Sequence, residues 1–252
     1  MSTVIKVGGN ELDDPAFLAG LTRVLTRMPE RPVIIHGGGK ELTALQKRLG
    51  LEARFVDGLR VTDEESLAVA EMVLRGRANL RLVSTLCSAR IPALGLSGVD
   101  AGLITVEKLV HPSGDLGYVG RPMAVAAERL RTLLAAGFLP VLAPISLGAD
   151  GHTYNVNADQ VAAAVATALD ANRLIFLTNV PGVLLAGRRS PRLTASEVEV
   201  RIADGAISGG MVPKVRAALA ALERGVRRAI ITDLAGLETL ARGGEAGTII
   251  IC

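Results

Sequence analysis

A chain of 252 residues with 49% hydrophobic composition is long enough to bury one large core or two small ones. Its 28 basic and 25 acidic residues leave a formal net charge of +3 with no block of like charges, and aromatic residues make up only 2%, so small-molecule chemistry is a better expectation than nucleic-acid binding. No apolar stretch is long enough to span a bilayer, and the opening MSTVIKVGGN carries a lysine inside a short apolar run, so a cytoplasmic protein with no membrane partner is expected. Cys87 and Cys252 leave a single disulfide open but exclude a disulfide-rich scaffold; His36, His111 and His152 lack the spacing of zinc ligands.

In chain order, short Val/Ile/Leu-rich runs alternate with segments of helical period. The pattern predicts a strand at Thr3–Val7, a helix at Pro15–Met28, a strand at Val33–His36, and helices at Lys40–Leu49 and Asp63–Arg75. Strands follow at Ala93–Leu96 and Leu103–Val106, then a helix at Ala124–Ala136, a strand at Leu139–Ala143 and a helix at Ala158–Leu169. The remainder reads as strand Leu174–Leu177, helix Val212–Arg224, strand Ala229–Thr232, helix Leu237–Ala241 and strand Thr248–Ile251. Gly50, Gly137 and Gly225 stand where helix C-caps favour glycine, and Thr62 with Glu65 has the spacing of a capping box. Such βαβ alternation predicts an α/β fold, a three-layer αβα sandwich around a mainly parallel sheet. The segment HPSGDLGYVGRP, His111 to Pro122, is dense in Gly and Pro and reads as a surface hairpin or flap. A change of role falls near Ala171–Arg173, with no shift in composition to mark a domain boundary.

Ligands of a parallel sheet collect beyond the carboxyl ends of its strands, where turns expose backbone N–H groups. Four glycine-bearing turns have that placement: KVGGN (Lys6–Asn10), HGGGK (His36–Lys40), GLSGVD (Gly95–Asp100) and NVPGV (Asn179–Val183). A fifth, SGGMVPK (Ser208–Lys214), runs into a helix with Pro213 in its first turn. None matches a Walker loop or a dinucleotide fingerprint: Lys40 is followed by Glu41, and Leu42 stands where the fingerprint needs its third glycine. Each turn alone could be an ordinary tight turn; together, beside Lys6 and Lys214, they point to a polyanion site. Lys6 lies inside an apolar strand, which fits either an edge strand reaching solvent or a functional cation. Asp159 could simply favour the positive end of its helix dipole, and Arg60, in DGLRVTDEE, could fork onto a ligand carboxylate or pair with a surface acid. No nucleophile elbow is present.

The ordered set VIKVGGN, VIIHGGGKE, DGLRVTDEE, GLSGVDAGLI, YNVNADQ, LTNVPGVL and AISGGMVPKV resembles the amino acid kinase family over essentially the whole chain, and within it the enzymes that phosphorylate N-acetyl-L-glutamate in arginine biosynthesis. The resemblance implies one domain over 1–252, with an acceptor-binding and dimerisation lobe near 1–172 and a nucleotide-binding lobe near 173–252. It makes Lys6 and Lys214 the cations that neutralise the phosphoryl group in transfer, with Asp159 holding both. It gives Gly8, Gly9, Gly38 and Gly39 as N–H donors to phosphate and acceptor, Arg60 as the grip on the acceptor α-carboxylate, and Asn155 as partner of the acetamido end. Asn179, Val180, Pro181, Gly182, Val183 and Leu184, with Ile207 and Ser208, would lie against ATP. Mg²⁺ would arrive on the ATP phosphates without a dedicated protein ligand set, and Lys40 would face solvent.

Three departures from the family pattern stand out. Asn179 replaces the aspartate of many relatives, and the C-terminal segment lacks the longer tail of arginine-inhibited ones, while the first strand comes too early for an extra N-terminal helix. An arginine-insensitive homodimer is the expectation. Two alternatives follow the same likeness: a carrier-linked aminoadipate kinase of lysine biosynthesis, or a non-catalytic regulator that binds nucleotide or amino acid.

Overall fold

Every residue of the first strand is buried, Lys6 included, because that strand sits in the middle of an eight-stranded sheet. The computed structural model describes residues 2–9 and 11–251; Asn10 of the first glycine turn and Cys252, with the disulfide question attached to it, lie outside them. The elements run β1 (Thr3–Val7), α1 (Pro15–Arg27), β2 (Val33–His36), α2 (Gly39–Arg48), β3 (Phe55–Val56), β4 (Leu59–Arg60) and α3 (Glu64–Ala70). Next come α4 (Asn79–Ser88), β5 (Ala93–Ser97), β6 (Ile104–His111), β7 (Gly114–Val125), α5 (Ala127–Ala135), β8 (Leu139–Ala143), β9 (Ile145–Gly148) and β10 (Thr153–Val156). The rest comprises α6 (Ala158–Ala168), β11 (Arg173–Leu177), β12 (Leu184–Leu185), β13 (Arg188–Arg189), β14 (Arg192–Thr194), α7 (Ala195–Ala203), α8 (Met211–Glu223), β15 (Ala229–Thr232), α9 (Leu234–Ala241) and β16 (Thr248–Ile251).

The sheet order is β14-β16-β15-β11-β1-β2-β8-β5. Six strands, from β15 to β5, are parallel; β16 runs antiparallel to β15, and β14 follows β16 at the edge. Successive side chains of a strand point to opposite faces. Ile5, Val7, Ile34 and Ile175 therefore pack with α1, α4 and α9 on one face, while Val4, Ile35, Leu174 and Phe176 pack with α6 and α8 on the other. The expected three-layer sandwich is what forms. Lys6 shares the face of Val4, the face covered by α6.

Four strands, β6, β7, β9 and β10, close into a small sheet of their own. The flap expected at His111–Pro122 belongs to its β6–β7 hairpin. Gly50, Gly137 and Gly225 have φ of 76°, 85° and 98°, the left-handed conformation expected of glycine after a helix.

Three local expectations change. Thr62 is not the cap of α3: its N–H donates to Leu116 O and its carbonyl accepts from Tyr118 N, so its backbone bridges to β7, and Asp63 caps the helix through Ser66 N at 2.9 Å. The helix expected to end at Arg75 continues through a π-helical stretch, Glu71–Ala78, into α4. That wider turn breaks the α-helical period at the point where a sequence pattern loses it. Ala124 and Val125 extend β7, Val125 pairing with Ile104, so α5 starts only at Ala127.

Candidate active site at the carboxyl ends of the strands

Asn157, just after β10, caps α6 by accepting from Asp159 N at 2.8 Å and Gln160 N at 3.3 Å. That cap fixes Asp159 in the first turn with its side chain toward β1, where its carboxylate meets Lys6 Nζ at 2.9 Å. Both residues are buried, Lys6 at 6% and Asp159 at 5% exposure. The edge-strand reading of Lys6 therefore does not hold; its charge is answered inside the protein. Lys214, in the first turn of α8, donates to Gly210 O at 2.7 Å. Burial lowers its pKa; the nearby charge of Asp159 opposes that shift and Lys6 adds to it. Asp159 thus reaches Lys6 directly and Lys214 through space, and no Asp159–Lys214 ion pair forms among the described residues.

The glycine turns after β1 and β2 touch backbone to backbone. A Cβ on Gly9 would fall 2.4 Å from Gly38 N, so no side chain fits there. Gly37 N–H donates to Val7 O at 3.0 Å, and Gly8 N–H to Leu177 O at 3.3 Å, which leaves the Gly8 amide engaged in the fold. The N–H groups of Gly9, Gly38 and Gly39 have no partner among the described residues. Gly39 is the first residue of α2, where no intrahelical acceptor exists.

His36, at the end of β2, is fully buried. The side-chain amide of Asn79, itself buried, donates to His36 Nε2 at 3.0 Å, so the ring proton sits on Nδ1 and is donated to Gly37 O at 2.8 Å. In a trans peptide the C=O and the next N–H point in opposite directions. Holding Gly37 O on the imidazole therefore turns the Gly38 N–H away from it. Burial, partly offset by the Gly37 bond and reinforced by Arg75, pushes the His36 pKa down to about 4.

Two cavities meet at this point. One, of about 250 Å³, is lined by Gly38, Arg60, Val119, Asn155 and Asp159 among others. The second, of about 360 Å³, is lined by Gly8, Glu11, Asn179, Val180 and Lys214 among others. Lys6, Gly9 and Gly39 line both. In the first, Arg60 donates to Gln46 Oε1 (2.5 Å), Thr43 Oγ1 (2.7 Å) and Gly39 O (3.1 Å) and lies 4.7 Å above the Phe55 ring. All these partners are neutral, and no carboxylate lies within ion-pair distance of Arg60 among the described residues. Asn155 Nδ2 donates to Thr62 Oγ1 at 3.2 Å.

Of the residues expected against ATP, Asn179 and Val180 line the second cavity. Val183 and Ile207 are core residues, with Val183 N–H donated to Thr248 Oγ1 at 2.9 Å. Gly182, at φ 151°, passes so close to Thr248 that a Cβ would collide with it. Pro181, Leu184 and Ser208 are exposed and do not line this cavity. Lys40, expected in solvent alone, is exposed and also lines the second cavity.

The sequence profile of the amino acid kinase family matches residues 1–233. The chain belongs to this family. Among amino acid kinase relatives, it is 57% identical to the acetylglutamate kinase of Roseiflexus castenholzii, covering 98% of this chain and 93% of that one, and 46% identical to the acetylglutamate kinase of Geobacillus thermodenitrificans, with coverage of 92% and 90%. Its backbone also superposes on the N-acetylglutamate synthase of Neisseria gonorrhoeae in complex with coenzyme A and N-acetyl-glutamate, with a TM-score of 0.86 at 28% identity over 100% of this chain and 59% of that one.

Local sequence patterns do not single out His36, Asn79, Gln46 or Asn157, whose hydrogen bonds hold the groups around the two cavities in place. A buried polar residue inside an apolar run was the available signal for His36. Because the folded state keeps His36 neutral below its ordinary pKa of 6.5, the unfolded chain binds the proton more readily, and stability falls as pH drops from about 6.5 to about 4. His36→Asn, which retains a donor and cannot gain a proton, is expected to flatten that part of the curve of denaturation midpoint against pH.

Proposed function

We propose that this chain transfers the γ-phosphoryl group of ATP to the side-chain carboxylate of N-acetyl-L-glutamate, giving an acyl phosphate in arginine biosynthesis, as a cytoplasmic enzyme. The observation that carries the reading is the junction of two cavities at Lys6, one ending in an arginine whose charge has no counterion among the described residues and the other bordered by Lys214. The high identity to acetylglutamate kinases over nearly the full chain supports the choice of acceptor.

The acceptor occupies the 250 Å³ cavity, its α-carboxylate on Arg60 and its acetamido end near Asn155. A glutamate-type side chain has a pKa of about 4.3, so at neutral pH it is already an ionised nucleophile and needs no general base. What opposes reaction is charge, since a carboxylate approaches a polyphosphate. Lys6 and Lys214 flank the reacting region, and the N–H groups of Gly9, Gly38 and Gly39, unpartnered among the described residues, are donors for developing negative charge there, the arrangement on which phosphoryl transfer depends. ATP lies along the second cavity, its triphosphate toward Gly9 and its remainder toward Asn179 and Val180. Among the described residues no cluster of three or more His, Cys, Asp or Glu side chains could hold a metal. Mg²⁺ carried on the ATP phosphates would supply further charge neutralisation there. In this reading residues 1–172 form the acceptor lobe and 173–252 the nucleotide lobe.

The purified protein with ATP, Mg²⁺ and N-acetylglutamate is expected to yield an acyl phosphate that hydroxylamine traps as a hydroxamate. Greater turnover with an aminoadipate-type acceptor, or no hydroxamate at all, would sink the proposal. The same lobe carries the homodimer we propose: Met72, at 63% exposure, and Leu80, at 61%, stand eight residues apart with Gly76 midway on the helix leading into α4. Sedimentation should give the mass of two chains, reduced to one by Leu80→Glu; an unchanged mass in that variant would contradict this interface.

A further inference from the structure

Helix α2 buries only two side chains, Leu42 and Gln46, four residues apart on its inner face. A second leucine would satisfy packing there. An amide in that position costs desolvation unless both its ends find partners, and those of Gln46 do. Its Oε1 accepts from Arg60 at 2.5 Å and its Nε2 donates to Ser66 Oγ at 2.9 Å. Ser66 is in turn fixed at the start of α3, where its N–H caps onto Asp63.

We infer that Gln46 is a positioning residue that makes acceptor recognition electrostatically specific: it orients Arg60 without neutralising it. This rests on the reading of Arg60 as the grip on the acceptor α-carboxylate. A partly buried arginine is ordinarily answered by a carboxylate. Here the amide of Gln46, the Thr43 hydroxyl, the Gly39 carbonyl and the Phe55 ring hold the guanidinium instead. Asp63, the nearby acid, is occupied with the α3 cap and with Arg54 at 4.0 Å. Of the five N–H donors of Arg60 three are engaged by these contacts, so two remain, together with a whole positive charge, for a ligand anion. The neutral frame converts a structural arginine into a detector of the α-carboxylate.

The test compares N-acetylglutamate with its analogue bearing a carboxamide in place of the α-carboxylate, which keeps the phosphorylated group. Gln46→Met, close in volume, is expected to raise KM for N-acetylglutamate about tenfold with kcat and the KM for ATP within about twofold. Gln46→Glu places a counterion beside Arg60 and is expected to bring the kcat/KM preference for the carboxylate over the carboxamide close to one. Arg60→Gln is measured alongside, as is thermal unfolding; if Gln46→Glu does not fold, Gln46→Met decides the matter. Lost preference in Arg60→Gln with KM and preference unaltered in the foldable Gln46 variants would overturn the positioning role and leave the reading of Arg60 standing. Unaltered preference in Arg60→Gln would overturn that reading itself.

Discussion

A lysine in the central strand of a parallel sheet persists only if something answers its charge, and Asp159 does so at 2.9 Å. Breaking a buried pair by removing one partner typically costs about 3–5 kcal/mol, because the other charge is left in a medium that cannot solvate it. The rest of the site follows from this constraint. The position of Asp159 depends on the first turn of α6, that turn on its Asn157 cap, and α6 on packing over the same sheet face that Lys6 occupies. The pair therefore locates the cation near the end of β1, where the glycine turns after β1 and β2 meet and the two cavities share Lys6, Gly9 and Gly39 in their walls.

Around that cation the site keeps its charges apart by burial and by neutral hydrogen bonds. His36 is held uncharged and sets a peptide plane. Gln46 and Thr43 hold Arg60 without pairing it. Lys214 is partly desolvated and rests on a carbonyl. Positive charge is thereby left available for anions from outside, which suits a reaction whose chief obstacle is repulsion between two anionic reactants. Fixed N–H groups and cations need no reorganisation when the charge moves.

Much of this was legible in the sequence, for identifiable reasons. Strands β1, β2, β8 and β15 were readable at their observed bounds, since strands buried on both faces are largely continuous apolar runs, and β16 was readable as a run of three isoleucines although its last residue is exposed. Lys6 stood out as a charge within such a run, and the turns after β1 and β2 as glycines at strand ends. The short strands β9 and β10 and helix α7 were missed, although Thr194 with Glu197 carries a capping box that could have marked α7. The π-helical stretch hid α4 because it shifts the helical period. Thr62 resembled a cap by spacing, but tertiary pairing with β7 claimed its backbone. The contributions of Gln46 and Asn79 depend on contacts with residues 20 and 43 positions away, which no local pattern reports.

In the proposed reaction Lys6 relieves charge in the transition state and does not merely anchor a substrate. Steady-state kinetics of Lys6→Met, at a temperature where the variant is folded, tests it most directly. The expected result is a kcat lower by about a thousandfold, with KM for N-acetylglutamate and for ATP within about threefold of the unsubstituted protein. A large rise in either KM with kcat nearly unchanged would contradict it.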